Sequence, residues 1–379
     1  MIYLDNSATT KPDPAVLQSY QQAAERFFAN PASIHQFGGE SEKLLTRARQ
    51  QAADLMHVSH NEIIFTSGGT EGNNLAIKGT ALKHQQRGCH IITTAVEHAS
   101  VSEACGGLEQ LGFDVTYLPV DENGVVSVQA VKDAIREDTI LISMMHVNNE
   151  LGSVQPVQEI GEVAKDHPKV VFHVDHVQGM GKVPLKLTDS GIDLCTISGH
   201  KIHGLKGTGI LYVKQGTTLF PLLHGGGQED ALRSGTENLA GAVSLVKAIR
   251  LIKEKETSGI RHMQELQSLL RKKLTAMEAV KVNTPYDAAP HIINVSVPGF
   301  KPEILIHALG EKGIYISTKS ACSSKQSDES KILSECGYSR DRTASALRIS
   351  LAYDTTETEI HTFADALAES IDQLKAVME

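Results

Sequence analysis

"EIIFTSGGTEGNNLAIKGTALKH", residues 62 to 84, runs from an apolar stretch through a cluster of small residues into a helix-forming stretch. Ile63 to Thr66 are β-branched or aromatic, so this run reads as a strand entering a turn. Residues 70–84 carry the composition of a helix. The small residues between leave main-chain N–H groups free, and the positive end of the helix dipole faces the same point. That arrangement makes an anion site suited to phosphate, with the Ser67 and Thr70 hydroxyls as further donors. A glycine turn leading into an ordinary capped helix fits the same letters. The segment is neither a Walker A loop, since no Gly-Lys-Ser/Thr follows, nor a GxGxxG fingerprint.

The same unit recurs on both sides. "HIITTAVEH", "DVTYLPV", "TILISMMHV", "VVFHVD", "DLCTIS" and "GILYVK" read as strands, with helical patterns such as "SVSEACGGLEQL" and "PVQEIGEVAKDH" between some of them. Strands alternating with helices predict an α/β fold whose largely parallel sheet is covered on both faces. From Thr236 to about Glu256 the pattern becomes one long helix, and "SGIRHMQELQSLLRKKLTAM" predicts another beyond it. "IINVSV", "EILIHAL", "IYIST" and a closing amphipathic helix over 357–378 then predict a smaller α+β domain. A chain of 379 residues exceeds one ordinary core, which agrees with more than one domain.

A hydrophobic content of 41% with 21% charged residues describes a soluble globular protein. A formal charge of -9 argues against direct affinity for nucleic acid or an anionic membrane. No apolar run is long enough to span a bilayer, and the start "MIYLDNSATT" predicts no signal peptide. Five scattered cysteines are not a disulfide framework and suit a reducing cytoplasm.

Three further segments carry chemistry. In "FHVDHVQG" an apolar strand ends in Asp175, with Gln178 three residues on; an acid there faces the crevice where α/β sheets bind ligands, though a strand-end carboxylate capping the next turn fits as well. In "ISGHKIHGLKGTG" Lys201 lies among small residues just past a strand, where a desolvated amine can form an imine with an aldehyde. A phosphate cradle, an imine-forming lysine and an acid that keeps a pyridine nitrogen protonated are together the set required by pyridoxal 5'-phosphate. His98, ending its own strand segment, could stack on such a ring. The third segment, "KSACSSKQSDES" at 319–330, has no helical or strand alternation and places Cys322 on what reads as a mobile, solvated loop.

With these segments the chain resembles the cysteine desulfurases of the NifS/IscS type, within the class V aminotransferase group of fold-type I pyridoxal phosphate enzymes. "YLDNSATT", "NPASIHQFG", "TSGGTEGNN", "EHASV", "HVNNELG", "HVDHVQ", "SGHKIHGLKGTG", "GGGQEDALRSGTEN", "SACSS" and "LRISL" follow in the family's order over essentially the whole length. The resemblance implies a large cofactor-binding domain over 16–256. It implies a small domain from 1–15 and 257–379, carrying the catalytic cysteine loop at about 318–345. Lys201 resembles the lysine that carries the cofactor, Asp175 the partner of the ring nitrogen, Gln178 the donor to the ring hydroxyl and His98 the stacking, catalytic histidine. Gly69, Thr70, Ser198 and His200 resemble the phosphate cradle. Thr236 is similar to the residue that reaches the phosphate of a neighbouring subunit, which implies a homodimer. Asn149 and Arg348 resemble the groups that hold cofactor and substrate carboxylate. Cys322 resembles the catalytic thiol that takes sulfur from L-cysteine as a persulfide, leaving L-alanine. The length of its loop implies delivery to an acceptor protein, such as an iron–sulfur scaffold or a tRNA-thiolation enzyme.

The nearest rivals are a selenocysteine lyase or another class V aminotransferase-type enzyme, and Cys322 speaks against a plain aminotransferase. Two positions depart from the family pattern: Lys319, where glycine is common, and His176, where alanine is common. A lysine cation at 319 could lower the pKa of Cys322. His173 with His176, and His200 with His203, leave a metal-dependent hydrolase as a remote alternative, although residues three apart on a strand point to opposite faces. Cys336 could be a second sulfur relay or a packed residue at the end of the helix "ESKILSEC", and its surroundings favour packing.

Overall fold

The computed structural model describes residues 1–318 and 329–378; Lys319 and Cys322 lie outside the described residues. The first reading is met directly. Ile63–Thr66 forms a strand, Gly68 turns the chain at φ 149°, and Gly69–His84 follows as a helix. The strand is one edge of a seven-stranded sheet. Across that sheet come Gly209–Val213, Leu194–Ser198, Val171–Asp175, Thr139–Met145, His90–Thr94 and Asp114–Leu118. Gly209–Val213 runs antiparallel to both its neighbours and every other pairing between adjacent strands is parallel. Thr139–Met145, Leu194–Ser198 and Gly209–Val213 are buried at every position, as strands covered on both faces must be. The fold is therefore α/β with a mostly parallel mixed sheet, and the C-terminal ends of its six parallel strands open on one side.

A second, separate core gathers Leu4, Met263, Leu270, Ile293, Leu305, Leu347, Phe363 and Leu367 among others. It packs around an antiparallel sheet in which Ile292–Ser296 pairs with both Lys281–Val282 and Ala346–Ser350. The amino terminus joins this unit, since Ile2–Tyr3 pairs in parallel with Ile314–Tyr315. The chain then crosses to the large sheet: the Ser7 N–H donates to Ser350 Oγ at 2.8 Å, and the Thr10 hydroxyl donates to the His200 carbonyl at 2.9 Å.

One expectation is corrected. The two helices read around residue 256 are a single helix, Leu239–Thr275, of 37 residues. Its Leu245, Ile249 and Ile252 belong to the core of the large sheet and its Met263, Leu266 and Leu270 to the second core. The misleading signal was Ser258-Gly259, which reads as a helix stop. Gly259 instead serves close packing, because a Cβ there would stand 2.7 Å from the ring of Tyr353. The Tyr353 hydroxyl in turn donates to the Gly181 carbonyl, in the turn that follows the strand Val171–Asp175.

Candidate active site

At the open side of the sheet, strand ends and the amino-terminal crossing segment enclose a cavity of about 160 Å³. Asp175 and Ser198 end their strands there, Gly69 and Thr70 open their helix there, and Lys201 follows in a short turn after Ser198. His98, Asn149, Gln178, His200 and Arg348 line it too, so residues as far apart in sequence as Gly69 and Arg348 meet in one place. Thr236 does not line this cavity. It lines a neighbouring one of about 140 Å³ beside Ser67, Gly207 and Arg233.

The anion end is built from backbone. The helix Gly69–His84 has no side-chain cap, and Gly68 adopts a positive φ that a side chain would strain. A Cβ at Gly69 would approach Val177 Cγ2 to 2.9 Å, so only glycine fits the first helical position without displacing the crevice wall. This uncapped helix start lines the cavity beside Ser198 and His200, and free N–H groups of a first turn suit an anion. Burial, followed by the charge of Lys201, pushes His200 down to about 4, so the ring meets the site neutral.

Asp175 is buried and accepts from Asn73 Nδ2 at 2.7 Å and from the Val177 N–H at 2.9 Å. Both donors are neutral, which leaves its charge to face a cation in the cavity. The Lys201 ammonium donates to the carbonyls of Ser7 and Ala8, the latter at 2.7 Å. Gln178 donates to the Ser7 carbonyl at 3.0 Å. The crossing segment that joins the two units is therefore a wall of the site. Arg348 is 1% exposed; it donates through Nη1 to the Asn149 carbonyl at 2.8 Å and through Nη2 to Asp5 at 3.0 Å. Its Nε and the Ser7 hydroxyl are buried without a hydrogen-bond partner among the described residues. Ser7 and Arg348 both line the cavity, so a bound carboxylate or cofactor would adjoin these residues.

These residues fit pyridoxal phosphate: an amine among carbonyls, an anion cradle that a Cβ would fill, a buried carboxylate with no ion pair among the described residues, and a guanidinium with bonding capacity left. Asn73, Ser100, Ser7 and Ala8 also line the cavity and were not singled out in the sequence. Asn73 stands on the same helix as the glycines, so its position was readable but its inward aim was not. Lys182 was missed too. Burial and the Lys201 charge push its amine down to about 7, and Nζ donates to the Lys201 carbonyl at 2.9 Å. In sequence it reads as one more surface lysine after a turn.

The histidine pairs do not converge on a metal. His173 spends its nitrogens on Ser143 and Thr196, and His176 faces His146 at 2.9 Å. His200 meets Thr9 and His203 meets the Lys11 carbonyl. Among the described residues no group of three or more His, Cys, Asp or Glu is placed to hold a metal ion. Cys336 packs among Val96, Leu151, Ile332 and Leu333, and burial pushes its thiol up to about 12.

The buried imidazoles have a consequence for stability. Burial pushes His146 down to about 4 and His173 to about 3, and lowers His176 and His291 well below the ordinary range; His200 joins them. In the unfolded chain these rings protonate near pH 6.5, whereas in the folded chain they resist until far lower pH. Between those limits the unfolded state binds more protons, so stability falls as pH drops below 6.5. Glu97, held up at about 8 by burial, acts in the opposite sense between its ordinary 4.5 and 8, as one group against five. The thermal midpoint should fall on the order of 10 °C between pH 7.5 and pH 5. Scanning calorimetry that finds a level or rising midpoint over that range refutes this account.

The chain matches the aminotransferase class-V family over residues 2–363. It is 45% identical, over 97% of each chain, to a NifS/IcsS protein homolog of Lactobacillus delbrueckii subsp. bulgaricus. It is 44% identical to the putative cysteine desulfurase IscS 1 of Bacillus subtilis, over 98% of this chain and 99% of that one. The solved structure of a NifS-like protein superposes with a TM-score of 0.93 at 36% identity, covering 98% of this chain and 99% of the other. A crevice at the strand ends holding a lysine, an acid and an uncapped glycine-led helix start, and similarity along the full length, lead to one assignment: this chain belongs to the aminotransferase class-V family, among its NifS/IscS-like members.

Proposed function

We propose that the protein is a pyridoxal phosphate-dependent cysteine desulfurase that converts L-cysteine to L-alanine and leaves the sulfur as a persulfide on Cys322. The meeting of Lys201, Asp175 and Arg348 in one cavity carries this reading. The uncapped first turn at Gly69 and Thr70, with Ser198 and His200, would hold the phosphate. Asp175 would face the ring nitrogen, Gln178 the ring hydroxyl, and His98 one face of the ring. When bound, the cofactor supplies an aldehyde for an amine and a ring that withdraws electrons from the substrate carbon.

The remaining work falls to the chain. Lys201 supplies the amine that anchors the cofactor. Arg348 binds the substrate carboxylate with Asn149 beside it, which orients the side-chain sulfur. The Cys322 thiolate forms an S–S bond to that sulfur as the C–S bond breaks. The carbon takes up a proton, and alanine departs with no external oxidant or reductant required. The persulfide passes to an acceptor protein, an iron–sulfur scaffold or a tRNA-thiolation enzyme, in a reducing cytoplasm. No helix among the described residues is long and apolar enough to cross a membrane.

The active form is a homodimer in which Thr236 reaches the partner's phosphate site. Its place in a cavity apart from the site of its own chain supports this, as do the exposed apolar side chains of Phe28, Ile34 and Leu223. The test is incubation of the cofactor-loaded protein with L-cysteine and a dithiol, measuring alanine and sulfide. Equal amounts of both are expected. Cofactor retained without alanine overturns the reading.

A further inference from the structure

We propose that Ser100 and Asn73 fix the proton of His98 on Nε2, so that the ring enters the active site as a neutral hydrogen-bond donor. The inference deepens the reading of the site given above. His98 caps the helix Ala99–Glu109, and its Nδ1 accepts from the Ser100 N–H at 3.1 Å. A backbone N–H only donates, so Nδ1 must present its lone pair. The neutral imidazole carries one proton, which is then on Nε2.

A side-chain relay enforces the same choice. Asp175 Oδ2 accepts from Asn73 Nδ2 at 2.7 Å, which fixes the orientation of that amide, because its oxygen would repel the carboxylate. The same Nδ2 donates to Ser100 Oγ at 2.9 Å. Having accepted there, the Ser100 hydroxyl turns its own proton to His98 Nδ1, 2.9 Å away. Direction therefore runs one way, from the amide pinned by Asp175 through Ser100 to the imidazole. Asn73, Ser100 and Asp175 are all buried, so the relay has little contact with bulk water.

A second proton on His98 would have to sit on Nδ1, against two donors. Burial and the nearby charge of Lys201 disfavour the imidazolium further, while Asp175 favours it. Lys201, Asp175 and His200 are the titratable groups that bear on this ring. With Nε2 already protonated, His98 can give a proton or a hydrogen bond to a bound substrate. It cannot take a proton there first, so any first proton acceptor must be another group. Ser100 and Asn73 are positioning residues that act through His98.

The test is nitrogen NMR of the full-length holoenzyme labelled with 15N-histidine, with His98 assigned by the signals lost in His98→Gln. At pH 7.5 His98 should show an unprotonated Nδ1 and a protonated Nε2. The opposite tautomer, or a doubly protonated ring, overturns the proposal. Ser100→Ala should raise the pH at which His98 titrates and lower kcat about five-fold at unchanged KM, the value of one buried hydrogen bond. Ser100→Thr, which keeps the hydroxyl, should restore both. A Ser100→Ala protein whose His98 titrates as in the parent removes Ser100 from the role. The nitrogen signals need no substrate, so they decide the tautomer even where alanine formation fails.

Discussion

Cys322→Ala is expected to bind the cofactor as tightly as the parent and to lose alanine formation by more than about a hundred-fold. No other described thiol can stand in. Burial pushes Cys105 and Cys336 up to about 12 and raises Cys195 as well, which suppresses the thiolates. Cys89 is exposed but precedes the strand His90–Thr94, at the end of the sheet away from Asp175 and Ser198. The residues proposed to hold the cofactor, by contrast, line the cavity from other parts of the sequence. Visible absorption of the bound cofactor and alanine release, measured on the same sample, separate the two roles. Alanine at the parental rate would show that another thiol takes the sulfur and that Cys322 is not the acceptor.

Arg348→Lys should retain the cofactor spectrum and lower kcat/KM for L-cysteine on the order of a hundred-fold, mainly through KM. The size follows from a charge-assisted, forked contact contributing roughly 1.5–3 kcal/mol that an ammonium cannot reproduce. The geometry argues for this loss. Two guanidinium nitrogens are already held by Asn149 and Asp5, which fixes the plane of the fork, and Nε remains to be satisfied. Arg348→Ala adds a folding cost, because Asp5 would lose its cation in a setting where burial already raises its pKa. Since Asp5 keeps some water, the cost should be roughly 2–3 kcal/mol, below that of a fully buried pair. Steady-state kinetics with chemical denaturation read both effects. A lysine variant with parental kcat/KM would mean that the substrate carboxylate binds elsewhere.

Much of the site could be read from the letters because its parts are local. The turn at Gly68-Gly69 needs small residues beside a strand and before a helix, and that order is written in residues 62–84. Asp175 and Lys201 each follow an apolar strand closely, so their place at the rim of a parallel sheet follows from chain direction. The order of motifs then implied pyridoxal phosphate as their common ligand. Gly259 misled because a helix stop and a close helix contact are spelled alike. Only the ring of Tyr353, 94 residues further on, tells them apart.

The sequence by itself determined the fold class and the chemical groups, and through motif order it implied the cofactor, since these rest on periodicity, turn chemistry and motif order within short windows. The tertiary structure alone decided which groups are dry and which nitrogen meets which oxygen. Asn73 finds Ser100 across 27 positions and Asp175 across 102. Lys182 becomes a weak base because the fold removes water around it and sets Lys201 nearby. Desolvation and hydrogen-bond direction depend on atoms brought together from distant parts of the chain, and no local pattern contains them.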